Sequence, residues 1–119
     1  FERLPAKVRL SVRDFLRELE VKPIIAIIFG SYASSTYTKN SDIDVLLVFQ
    51  NFEDSKKIEN TSKKISMKTN TQLHPVYLGY PEFKESFHNL TKEFFKKLKK
   101  DKIIVIGMEW WRQLIDEET

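Results

Sequence analysis

The sequence predicts an α/β fold on three observations. Short runs rich in β-branched residues alternate with amphipathic or polar segments, glycine and proline punctuate the joints, and no internal repeat or low-complexity tract breaks the alternation. From Pro5 to Glu20 the apolar positions Val8, Leu10, Val12, Phe15, Leu16 and Leu19 recur at mixed three- and four-residue spacings, the pattern of an amphipathic helix. Pro23 ends that segment. Ile24 to Phe29 is a continuous apolar run too short for a helix, which predicts a strand buried on both faces. Gly30-Ser31 closes the strand, and a short helical turn is expected around Tyr32–Thr36. Lys39-Asn40-Ser41 then supplies turn chemistry before a second strand, Ile43–Phe49.

A polar, lysine-rich segment from Glu53 to about Lys68 carries Ile58, Ile65 and few other apolar residues, so a solvated surface helix is expected there. Leu73–Leu78 predicts a third strand, which Pro75 pushes toward a sheet edge or a strand start because proline cannot donate to a ladder. Pro81 suits the first turn of a helix that runs with interruptions to Lys100. Lys102–Ile106 is the last expected strand. Gly107 breaks it, and Met108 to about Asp116 closes the chain as a helix. That helix carries adjacent indoles, Trp110 and Trp111, which point about 100° apart. One of them is expected on a surface for a protein partner or a second copy of the chain, unless the core absorbs both.

Composition narrows the function. At 119 residues the chain suits one domain spanning 1–119, and 41% apolar with 31% charged residues describes a folding globule. No run approaches the roughly 20 apolar residues of a membrane helix, and Phe1 to Pro5 lack a signal-peptide core; a cytoplasmic location is expected. Without cysteine there is neither a disulfide framework nor a thiolate zinc site, so any metal must find oxygen or imidazole ligands. The net charge of +3 suits a phosphate-bearing ligand. Nucleic acid is not expected, because the lysine pairs at 56–57, 63–64, 96–97 and 99–100 read as solvated helix faces without aromatic platforms.

The chemistry concentrates between the first two strands. Asp42 and Asp44 stand two apart at the entry to the second strand, a spacing that sends side chains to the same face. Two carboxylates on a rigid strand, with positions left for water and phosphate oxygens, are suitable ligands for Mg²⁺ shared with a nucleotide. Gly30-Ser31 precedes them across the ten residues Tyr32 to Ser41. Backbone amides at such a turn, a serine hydroxyl, and a glycine that permits close approach can cradle phosphate. Taken singly these features are ordinary: Gly-Ser turns are common, and Ser41 can cap the turn while Asp42 is merely solvated. The ordered combination carries the weight, since Asp44 in an otherwise apolar strand calls for a compensating cation. An EF-hand is excluded by Leu46 and Leu47, and a Walker loop by the absence of Gly-Lys-Ser/Thr.

Ile27-Ile28-Phe29-Gly30-Ser31-Tyr32-Ala33 followed by Asn40-Ser41-Asp42-Ile43-Asp44-Val45-Leu46-Leu47-Val48 resembles the signature of the DNA polymerase β-like nucleotidyltransferase superfamily. Within it the short chain is similar to minimal nucleotidyltransferases, including antitoxin partners of HEPN-domain toxins. The resemblance implies a nucleotidyltransferase fold, a small mixed β-sheet flanked by α-helices. It implies that Gly30, Ser31 and Ser41 contact the nucleotide and that Asp42 and Asp44 hold Mg²⁺, in a site of two-metal type. The implied reaction moves a nucleoside monophosphate from an NTP, ATP above others, to an acceptor hydroxyl with loss of pyrophosphate. A HEPN-type toxin or other protein partner is the implied associate.

Two departures from that pattern stand out. Ala33 is followed by Ser34 and Ser35, where the family often writes Arg and Gly. Active members also carry a third carboxylate on the next strand, whereas Thr71 to Leu78 contains neither Asp nor Glu. Gln72 or His74 takes its place; alternation puts both on one face of the strand, and His74 is the expected occupant. A neutral imidazole can take a proton but supplies no negative charge, so either a slow enzyme or a nucleotide- or protein-binding module of antitoxin type is expected.

Overall fold

In a computed structural model the described residues are 1–51, 54–87 and 93–118. Among them the elements run α1 (Ala6–Glu18), β1 (Ile25–Phe29), α2 (Ser31–Ser34), β2 (Ile43–Phe49), α3 (Ser55–Thr69), β3 (Leu73–Gly79), α4 (Tyr80–Phe87), α5 (Glu93–Lys100), β4 (Ile103–Ile106) and α6 (Met108–Glu118). The expected α/β alternation is therefore present. The helix start expected at Glu53, and residues 88–92 within the long helix expected up to Lys100, lie outside the described residues.

The four strands form one mixed sheet in the order β3-β2-β1-β4. β1 runs antiparallel to both β2 and β4, whereas β2 and β3 are parallel and joined through α3. β3 is thus an edge strand, the position at which Pro75 is tolerated. Alternation divides the sheet between two cores. Ala26, Ile28, Ile43, Val45 and Leu47 pack with Val12, Phe15, Ile58 and Ile65 under α1 and α3. Ile25, Ile27, Leu46 and Val48 pack with Phe83, Phe95, Leu98, Trp111 and Leu114 under α4, α5 and α6. β1 is buried on both faces because each of its faces meets one of these cores.

Two details refine the expected pattern. α3 is exposed only in part: Ile58, Ser62 and Ile65 are buried, a stripe wide enough to dock the helix on α1 and β3. The two indoles also divide. Trp111 is buried with its ring edge-on to Phe87, while Trp110 is half-buried against Tyr80.

A candidate nucleotide site at the β1–β2–β3 end

Strand directions bring three chain segments to one end of the sheet. β1 ends where the antiparallel β2 begins, and the parallel β3 begins beside it, so Phe29, Asp44 and His74 form one row across the strands. Leu46 and Val76, two residues further on, belong to the core beneath α4, α5 and α6. Asp44 and His74 continue that face into solvent.

Within the row the contacts are close. His74 Nδ1 lies 2.9 Å from Asp44 Oδ1, with the imidazole largely exposed and the Asp44 side chain 23% exposed. The other carboxylate oxygen overhangs Gly30, whose φ is +71°: a Cβ there would lie 2.2 Å from Asp44 Oδ2. Glycine is required both for its conformation and for the room it leaves. α2 then starts at Ser31, with Ala33 and Ser34 donating their amides to the Gly30 carbonyl at 3.1 Å. As at every helix start, the earlier amides have no partner within the helix. Tyr32 anchors this turn in the core and stacks on Tyr37 at 4.5 Å. Burial first, and then neighbouring Tyr37, raises the Tyr32 phenol above its ordinary value.

The remaining candidates are less confined. Asp42 is exposed and lies one residue ahead of β2, so only Asp44 is held by the ladder; Ile43 between them donates to the Gln72 carbonyl at 2.8 Å. The Ser41 hydroxyl accepts from the Thr38 amide at 2.8 Å and closes the turn into β2. Ser41 also lines a different cavity, of about 810 Å³, with Tyr37, Thr38 and Thr71. Ser34 and Ser35 stand where resembling sequences carry Arg and Gly, and Ser35 has φ +63°, a left-handed conformation that favours glycine. Among the described residues no three His, Asp or Glu side chains are grouped to hold a metal ion. An ion on Asp42 and Asp44 would therefore need oxygens from elsewhere, which fits the donor set expected for Mg²⁺ shared with a nucleotide.

One part of this end was not singled out in the sequence. A cavity of about 510 Å³ has Phe29, Gly30 and Ser34 on one side and Phe94, Lys97, Leu98, Lys100 and Asp101 on the other. The signal was present in the helical spacing of Phe94, Lys97 and Leu98, which puts them on one face of α5, with Asp101 one residue past its end. It could not show which face of the sheet α5 covers.

Comparison with known proteins agrees with the fold. The family model for the nucleotidyltransferase domain matches residues 10–109. None of the curated proteins is a match. Among solved structures, a toxin–antitoxin with AMP-PNP covers 92% of this chain and 80% of its own at TM-score 0.64 and 18% identity. A MntA–HpeT toxin–antitoxin mutant with two Asp-to-Glu substitutions covers 88% and 77% at TM-score 0.63 and 17% identity. The Shewanella oneidensis tri-AMPylated HEPN toxin in complex with MNT antitoxin covers 90% and 78% at TM-score 0.58 and 16% identity. At such identities the likeness is one of fold. With the family model spanning residues 10–109 and the mixed sheet placing Gly30 against Asp44, this chain belongs to the nucleotidyltransferase domain family.

Proposed function

We propose that this domain binds a magnesium–nucleoside triphosphate, ATP above others, and transfers the nucleoside monophosphate slowly to a hydroxyl of a protein partner. The observation that carries this reading is the fit between Gly30 and Asp44, which leaves a bare backbone beside a carboxylate at a glycine that also lines a cavity. Gly30 and Ser31 receive the phosphates, and Asp42 and Asp44 hold Mg²⁺ together with nucleotide oxygens. The bound ion would neutralise charge on the triphosphate. The acceptor oxygen attacks the α-phosphorus, the bond to the β-phosphate oxygen breaks, and pyrophosphate leaves with the electron pair.

His74 sets the rate. With Nδ1–H donating to Asp44 Oδ1, Nε2 is left as an acceptor for the hydroxyl proton. The ring adds no negative charge where a third carboxylate would, so transfer is slow. A partner of HEPN type is supported by the likeness in fold to the MNT antitoxin complexed with a HEPN toxin. The half-buried Trp110 is the indole left for contact with it. The same histidine favours a second reading, a nucleotide-binding antitoxin module that no longer transfers.

Incubation with α-labelled ATP and Mg²⁺, with and without the protein encoded beside it, separates the two. Label on the partner that disappears in Asp44→Asn supports transfer. Tight MgATP binding without label supports the module, and absence of both refutes the site.

A further inference from the structure

From the cavity between the β1–α2 turn and α5 we infer that Lys97 and Lys100 form the cationic arm that receives the β- and γ-phosphates of the nucleotide. The inference rests on the proposed nucleotide site and assigns it residues that lie far from Gly30 in sequence. The turn from Gly30 to Ser35 contains no cation, and the nearest short side chain facing the cavity, Ser34, is neutral. A triphosphate on that turn would keep most of its charge unless another element supplied positive groups. α5 does so across a space of about 510 Å³ that Gly30, Lys97 and Lys100 share. Lysine binds phosphate as a point charge on a long, adjustable stem, which suits a position facing the turn from a separate helix.

The bland account of these lysines is a solvated helix end that complements the macrodipole. Their neighbours argue against treating the run as uniform. Lys99 Nζ donates to the Phe87 carbonyl at 2.8 Å and sits 4.3 Å from the Phe87 ring centroid. Lys102 Nζ donates to the Lys99 carbonyl at 2.8 Å and sits 4.9 Å from the Trp111 ring centroid. Those two fasten α4, α5 and α6 together, while Lys97 and Lys100 line the cavity. Asp101 lines it too and offsets one of the two charges, so the arm carries a net charge near +1, enough to orient a phosphate chain without trapping pyrophosphate.

The test is calorimetric titration with MgATP and with AMP. It compares wild type, the Lys97→Gln/Lys100→Gln variant, that variant with Ser34→Arg added, and Asp44→Asn, all checked for unchanged melting. The double lysine variant should bind MgATP about ten- to a hundredfold more weakly and AMP within about threefold of wild type. Ser34→Arg, projecting a cation into the same cavity, should recover most of the loss. If the double variant binds MgATP as tightly as wild type while Asp44→Asn does not, the lysine arm is wrong and the nucleotide site stands. If ATP and AMP weaken equally, the lysines act on the shape of α5 and the inference also fails. Wild type binding no MgATP would overturn the nucleotide site itself.

Discussion

Gly30 and Asp44 occupy each other's space: a methyl group on Gly30 would lie 2.2 Å from Asp44 Oδ2 and 3.1 Å from its carboxyl carbon. Gly107 is as crowded, but against backbone, with a Cβ 2.2 Å from the Ile24 carbonyl oxygen and 3.0 Å from Ile25 Cα. Both have positive φ, at +71° and +91°. The two alanine variants should therefore fail differently. In Gly30→Ala the carboxylate can swing aside, so the cost is the strain of a backbone at φ +71° and ψ −149°, a conformation essentially reserved for glycine, of about 1–3 kcal/mol, with MgATP affinity lost. In Gly107→Ala the β1 backbone must move, costing about 3–5 kcal/mol, with affinity kept in the folded fraction. Urea melts and calorimetry on both check this; equal stability loss and equal affinity would refute it.

Asp42→Asn and Asp44→Asn should each abolish Mg²⁺-dependent ATP binding while the fold persists. Stability should hold or rise slightly in Asp44→Asn. The bond to His74 is partly exposed and worth at most about 1 kcal/mol, and removing one of two like charges that stand two residues apart acts in the opposite direction. Equal MgATP affinity for Asp44→Asn and wild type by calorimetry would remove these residues from the site.

His74→Asp should raise nucleotidyl transfer by about an order of magnitude or more from a low baseline and tighten Mg²⁺ binding. Because the new carboxylate would stand opposite Asp44 in register, the metal-free variant should melt lower than wild type. Added Mg²⁺ should restore the difference. Brisk transfer by the native protein, unchanged in the variant, would show that another group serves as base.

Ser35→Gly should stabilise the protein by about 1 kcal/mol, because φ +63° costs a serine roughly that much and glycine little. For a chain of this size that is a rise of about 4 °C in melting temperature. Nucleotide affinity should not change. A destabilised variant would mean that glycine's greater backbone freedom in the unfolded chain outweighs the strain relieved at this position.

The amino-acid order alone determined the strands and the motif. Ile25–Phe29 and Ile43–Phe49 are legible because apolar β-branched runs have few local alternatives. Gly30, Ser31, Asp42 and Asp44 are legible because their spacing is a local property of chain. Strand order and register were not local. Gln72 and His74 share one strand face by alternation, and only the parallel pairing of β2 with β3 sets His74, rather than Gln72, opposite Asp44. The same holds for Ser41, whose hydroxyl the fold commits to the Thr38 amide, and for the indoles, of which packing buries Trp111. Lys97 and Lys100 are the clearest case. Their charge and helical spacing are written in the sequence, but which end of the sheet α5 covers depends on Phe95 and Leu98 docking into a core drawn from four other elements. Long-range burial decides such placements, because one apolar helix face can satisfy itself against many partners and only the assembled sheet offers the one that closes the core.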